Sequence, residues 1–155
     1  SKVHEKAYQI HIDGIEYSID YEPAESTVPL FGGNSNWRGP IWMPMNYLFI
    51  QALREYQWYD GNDFLFEYPT GSNKLLNLKQ VSDELSKRLI HMFEKDEKGN
   101  RAINKNYEKY YQDPHFKDLI LFYEYFHGEN GRGLGASHQT GWTALVANLI
   151  EQLEE

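Results

Sequence analysis

The chain opens on alternation. Residues 7–13 read AYQIHID and residues 15–21 read IEYSIDY, apolar and polar positions taking turns, with Asp13-Gly14 between them. A period of two marks a half-buried strand, and Asp-Gly suits the two-residue turn whose central residues both need positive φ, so the pattern predicts an antiparallel hairpin over 7–21. Isolated hairpins are marginal in water, so this one should pack on the rest of the protein or on a further part of it. Residues 22–39, EPAESTVPLFGGNSNWRG, form a long loop, and Leu30, Phe31 and Trp37 within it favour an ordered loop over a disordered one.

The period then changes. Met45, Leu48, Phe49, Ala52, Leu53 and Tyr56 recur at helical spacing in 40–59, with Pro44 suited to a first turn. A loop follows over 61–77, allowing a short strand at Phe64–Tyr68. A second helix is predicted from Leu78 to Asp96, with Val81, Leu85, Leu89, Ile90, Met92 and Phe93 on one face and Glu97-Lys98-Gly99-Asn100 as its stop. Residues 102–112 are polar and tyrosine-rich and read as irregular, and Asp113-Pro114 suits the cap of a short helical turn. Residues 119–126 fit either regular structure. As a strand, Phe122, Glu124 and Phe126 share a face; as a helix, Glu124 keeps company with Ile120, Leu121 and His127. Thr140–Leu153 closes the pattern as a last helix, burying Leu145, Leu149, Ile150 and Leu153.

A chain of 155 residues with 41% hydrophobic content can bury a core, so 1–155 is expected to be a single folded unit. The net charge of −8 argues against a nucleic-acid partner, because the Lys and Arg residues form no basic run for phosphates. No apolar stretch approaches the length of a membrane span. The absence of cysteine rules out disulfides, zinc-thiolate sites and thiol nucleophiles, and fits a cytoplasmic chain. The opening SKVHEKAYQIHID lacks a signal-like apolar core and has the look of mid-protein sequence, as expected of a piece of a longer polypeptide.

Chemistry concentrates in Phe122–Trp142, FYEYFHGENGRGLGASHQTGW. One carboxylate, Glu124, sits among aromatic residues, and four of the twelve glycines fall between Gly128 and Gly135, where the backbone must bend or approach something closely. An active-site wall and an ordinary surface loop both satisfy that pattern. Gly131, Gly133 and Ala136 fit a dinucleotide fingerprint, but the strand stands too far upstream and no second strand follows the helix. Glu124 and His127 have the E-x-x-H spacing of di-iron proteins without the second such pair that a site needs, so neither a metal nor a cofactor is expected. No G-x-S-x-G motif offers a serine nucleophile. Acid-base chemistry remains. Upstream, Arg38 lies between Trp37 and Trp42 at a loop-to-helix junction, where it can hold a sugar hydroxyl or a carboxylate, or merely cap carbonyls; Asn46 would face the same junction.

Taken together, GGNSNWRGPIWMPMNYL and FYEYFHGENGRGLGASHQTGWTALV, with DYEPAEST before them, resemble the C-terminal part of the catalytic domain of family 63 glycoside hydrolases, the processing α-glucosidases and their relatives. The resemblance covers nearly the whole chain. It implies a mainly α fold, part of an (α/α)6 barrel with the hairpin as an excursion. It also implies an inverting hydrolysis of α-glycosides, in which an aspartic acid serves as general acid and a glutamate as general base. Glu124 matches that glutamate, and Trp37, Arg38, Trp42, Asn46, His138, Gln139 and Trp142 match positions that line or support the sugar pocket. Twelve helices of about 11 to 12 residues exceed this chain, and the acid belongs to an earlier segment. The partners implied are therefore a carbohydrate and the remainder of the catalytic domain, and the chain alone is expected to be inactive. The alternative is a non-catalytic helical module that binds carbohydrate or another protein.

Overall fold

The computed structural model describes residues 6–27 and 39–154, with the side chain of Tyr110 left aside. Strands β1 (Tyr8–Ile12) and β2 (Ile15–Ile19) form the expected hairpin, with Asp13 at φ 50° and Gly14 at φ 77° in the turn. The register pairs Tyr8 with Ile19, Ile10 with Tyr17 and Ile12 with Ile15, so every apolar residue falls on one face. Tyr8, Ile10, Ile12, Ile15 and Tyr17 are nonetheless exposed, and the hairpin leaves that face uncovered by the described residues.

Three helices of ten residues or more follow: α1 (Met43–Asp60), α2 (Leu78–His91) and α5 (Leu145–Glu154). Between them lie two helical turns, α3 (Glu108–Tyr111) and α4 (Thr140–Thr143), and a 3-10 turn at Ala102–Asn104. Two further two-stranded antiparallel sheets pair β3 (Phe66–Glu67) with β4 (Leu75–Leu76), and β5 (Tyr125–Phe126) with β6 (Gly133–Leu134). The chain is thus mixed rather than mainly α, with α1 packed on α2 and α5 around a core that includes Met43, Ile50, Phe93, Ile103, Phe126 and Leu149.

Helix α2 starts where Asn77 accepts from the Gln80 amide at 2.9 Å while the Gln80 side chain accepts from the Asn77 amide at 3.0 Å, a reciprocal capping box. It ends at His91, short of the expected Asp96, because Met92, Phe93 and Glu94 turn back with amides donating to Leu89, Ile90 and His91. That turn drops Met92 and Phe93 into the core. The helix also buries Ser82 and Ser86, which satisfy their hydroxyls on carbonyls of their own helix, at Lys79 and Ser82. The last helix breaks at Ala144 into α4 and α5, and Ile150, expected inside, is exposed. Of residues 119–126 only Tyr125–Phe126 is strand, with an isolated bridge at Phe122 and no helix, and Phe126 exchanges both backbone bonds with Ile41.

The largest departure is the face that α1 buries. Met45, Leu48, Phe49 and Tyr56 are 47%, 63%, 59% and 62% exposed, and Ala52 is exposed with them. At about 100° per residue this stripe lies opposite the side carrying the buried Met43 and Ile50. The core side reads as polar because it also carries Tyr47, Gln51 and Arg54, which bond across the interface. The Tyr47 hydroxyl donates to Asn148 at 2.5 Å, Gln51 and Gln152 exchange amide bonds at 2.9 and 3.2 Å, and Arg54 donates to Gln152 and pairs with Asp83 at 3.4 Å. Periodicity located the helix and named its outer stripe. A continuous apolar face of this kind on a folded chain needs a cover. The chain by itself is therefore expected to self-associate and to take up a hydrophobic dye, and a monodisperse monomer without dye uptake would show that the stripe is tolerated in water.

Candidate functional site

Glu124 stands at the entry to β5, and three backbone segments fix it. Its amide donates to the Ala136 carbonyl at 2.7 Å, and the Ala136 amide donates back to its Oε2 at 3.1 Å, so the far side of the glycine-rich turn grips both the residue and its carboxylate. The Trp142 indole N–H donates to the Glu124 carbonyl at 3.1 Å, and the Thr143 hydroxyl donates to the Tyr123 carbonyl at 2.6 Å, which anchors α4 beneath the strand. The Gln139 amide donates to the Phe122 carbonyl at 2.8 Å. The carboxylate is half-buried, between the turn and solvent.

Glycine is required where the turn meets this strand. Gly135 has φ 67°, and a Cβ there would lie 2.5 Å from Glu124 Oε2 and 2.7 Å from the Tyr125 ring. A Cβ on Gly133 would fall 2.1 Å from the Tyr123 ring. Gly128 donates its amide to the Pro23 carbonyl at 2.6 Å, and a Cβ on it would lie 2.4 Å from the Gly39 carbonyl, so residues 22–23, 39 and 128 pass one another as bare backbone.

Behind the carboxylate is an aromatic floor. Trp42 stacks on Tyr125 with ring centroids 4.7 Å apart and meets Trp142 edge-on at 6.0 Å; Leu134 and Ala24 complete the cluster. Trp42 is only 3% exposed, so it supports the site from below and offers no open stacking surface. Asn46 turns its amide onto the Trp42 carbonyl at 2.8 Å and stiffens the first turn of α1. His138 is exposed and bridges to Phe122, and Gln139 is half-buried beside it, so both lie on the same rim as Glu124. Trp37 and Arg38 lie outside the described residues.

Electrostatics add two residues that the sequence did not single out. Burial first, then the charges of Glu25 and Glu124, push the Tyr125 phenol above its usual range, so a second carboxylate bears on the same ring from the 22–27 segment. The acidic loop residue and the buried tyrosine carry no local motif, and only the packing of Ala24 on the floor brings them together. At the other end of the strand, burial and then the Arg132 charge hold His127 below its usual range against the opposing pull of Glu129. The neutral imidazole suits its bond, since Nδ1 accepts from the Glu129 amide at 3.2 Å. Near the hairpin, burial works to raise the Glu22 carboxyl, but bonds from the Thr27 side chain and amide and from the Ser26 hydroxyl hold it below its usual range. That carboxylate is engaged in ordering its own loop.

Among the described residues no helix is long and apolar enough to cross a membrane, and no group of three or more His, Asp or Glu side chains is placed to hold a metal ion.

Comparison with known proteins gives the same direction. The chain is 51% identical over 156 residues to the uncharacterized protein YMR196W of Saccharomyces cerevisiae, a match covering 99% of this chain and 14% of that protein. It is 32% identical over 123 residues to a mannosyl-oligosaccharide glucosidase of the same yeast, covering 77% of this chain and 11% of the relative, and 28% identical over 116 residues to alpha-glucosidase 2 of Arabidopsis thaliana, covering 75% and 11%. The chain thus spans a small part of the length of the curated relatives it matches. No solved structure matches it. The expectation of a cytoplasmic chain is corrected by these relatives, which include several named for mannosyl-oligosaccharide rather than for a cytoplasmic substrate. The absence of cysteine, on which that expectation rested, excludes disulfides and does not identify a compartment. A model described as the glycosyl hydrolase family 63 C-terminal domain matches residues 30–152, and the chain belongs to glycosyl hydrolase family 63.

Proposed function

We propose that this chain is the general-base side of the catalytic site of an inverting α-glycosidase, with Glu124 as the base. The observation that carries the reading is the hold on Glu124: a half-buried carboxylate gripped by the Ala136 amide, above an aromatic floor, at a turn whose glycines let backbone and ligand approach. Inversion needs an ionised carboxylate that takes a proton from water, across about 6.5 to 9.5 Å from the acid that protonates the leaving oxygen.

In this reading Trp42, Asn46 and Trp142 shape the floor, His138 and Gln139 stand at the rim, and Trp37 and Arg38 complete the sugar pocket. The general acid comes from the rest of the catalytic domain. That remainder, which completes an (α/α)6 barrel with this chain, covers the outer stripe of α1 and the apolar face of the hairpin, both of which stand open among the described residues. The substrate is an α-linked glucoside, in keeping with relatives named as glucosidases.

The test is the configuration of the first product. The complete enzyme, mixed with an α-glucoside and followed by proton NMR before mutarotation, is expected to release the β-anomer. Release of the α-anomer first would overturn inversion, and failure to cleave any α-glucoside would overturn the hydrolase reading.

A further inference from the structure

A second cleft lies away from Glu124, formed where the turn after α2, the 3-10 turn at Ala102–Asn104 and α3 meet. It measures about 650 Å³, within the usual size of small-molecule sites. Its charge runs against the rest of the chain. In a protein of net charge −8, Lys95, Lys98, Arg101, Lys105 and Lys117 all line this one opening.

The carboxylates around it are already engaged. Asp96 Oδ1 accepts from the Lys98 and Asn100 amides at 2.9 and 2.8 Å and so closes its own turn. Glu94 lies 3.0 Å from His91 Nδ1. Bonds from the Asn106 amide first, then from its own amide, hold the Glu108 carboxyl below its usual range. Among the cations, Lys95 pairs with Asp118 at 2.9 Å and Arg101 donates to the Phe93 carbonyl at 2.5 Å. Lys98, Lys105 and Lys117 are exposed and close no ion pair within 4.0 Å among the described residues, although the Lys105 charge bears on Glu108 and the Lys117 charge on Asp118.

Besides its cations the cleft is lined by residues with carboxamide side chains, which points to a ligand with hydroxyl groups. Asn100, Gln112 and Asn130 line the cleft, and their carboxamides are the donor and acceptor set that suits sugar hydroxyls.

We propose that this cleft binds a phosphorylated sugar, with the phosphate on Lys98, Lys105 and Lys117 and the hydroxyls on the carboxamide wall. Strongly hydrated lysine ammoniums act as point charges for a phosphate, and amide side chains orient the sugar ring. The wall shares Asn130 with the glycine-rich turn, whose Arg132 amide donates to the Asn130 side chain at 3.0 Å, so the occupant sits behind the turn and outside the proposed hydrolytic site. The proposal does not rest on the hydrolase reading.

Glucose 6-phosphate, inorganic phosphate and glucose, each titrated calorimetrically into the full-length polypeptide carrying Glu124→Gln, form the test. Saturable binding of glucose 6-phosphate is expected, tighter than that of either half. The double variant Lys105→Ala, Lys117→Ala should weaken it by about tenfold or more, and Lys98→Ala should weaken it further. Saturating glucose should leave it unchanged, since glucose alone competes for a sugar pocket at Glu124. The proposal is overturned by no saturable binding, by inorganic phosphate binding equally well, by indifference to the lysine substitutions, or by displacement with glucose.

Discussion

Glu124→Gln in the complete enzyme is expected to slow hydrolysis by about 10² to 10⁴ while sugar binding persists. The substitution keeps the shape and leaves an oxygen to accept the Ala136 amide, which donates to Glu124 Oε2 at 3.1 Å. It removes only the capacity to take a proton from water. Thermal stability should therefore stay within about 1 kcal/mol of the parent, with the loss confined to kcat. Gly135 gives a useful contrast, because a Cβ there would meet both Glu124 and the Tyr125 ring and disturb the carboxylate by displacement. Near-normal turnover by Glu124→Gln would end its assignment as base. A matched fall in stability and activity would return it to a structural role.

The second large effect is on folding. Gly39→Ala is expected to destabilise the protein by about 3 to 5 kcal/mol, because it combines a left-handed backbone with overpacking. Gly39 has φ 90°, and its added Cβ would lie 2.0 Å from the Glu22 carbonyl oxygen, a backbone atom that cannot swing aside. Movement of residue 22 would carry Pro23 away from Gly128, whose amide it accepts at 2.6 Å, and so loosen the turn that holds Glu124. Gly14→Ala is the control. It shares a positive φ of 77° but has nothing within 4 Å of the added atom, so only the conformational cost of about 1 to 2 kcal/mol applies. Thermal denaturation of the two variants side by side separates close approach from backbone preference. Equal midpoints would mean that the three backbones do not meet as described.

The two glycine positions also mark what could be read in advance. Asp13-Gly14 announced the hairpin because its positive φ values are a local demand that sequence states directly. The glycine density of 128–135 announced a close approach without saying to what, since Pro23 and Gly39, which crowd Gly128, lie far upstream in sequence. Helix α1 was legible as a helix and not as an oriented one. Its buried side carries Tyr47, Gln51 and Arg54, whose partners Asn148 and Gln152 come from the far end of the chain, so a pattern that scores polar residues as exposed selects the opposite stripe. Ser82 and Ser86 escaped for the same reason, as each satisfies its hydroxyl within its own helix and can then be buried. At the site, Glu124 stood out by its neighbours and by the family motif. The support given by Trp142 and Thr143 to the strand carbonyls needed the tertiary fold to be seen.

The hydrogen-bonded seam between α1 and α5 joins residues 101 positions apart, at Tyr47 to Asn148 and at Gln51 to Gln152. Contacts so remote in sequence are closed late, because the entropy of the intervening loop is lost before they form. As the polypeptide leaves the ribosome, α1 can pack on α2 but must wait for residue 152 to close its seam with α5, its outer apolar stripe open meanwhile. A nascent chain paused anywhere in that interval presents a sticky helix to its neighbours. Synthesis speed over the last third of the sequence, and the availability of a chaperone during it, should thus govern the yield of folded protein more than the final stability does.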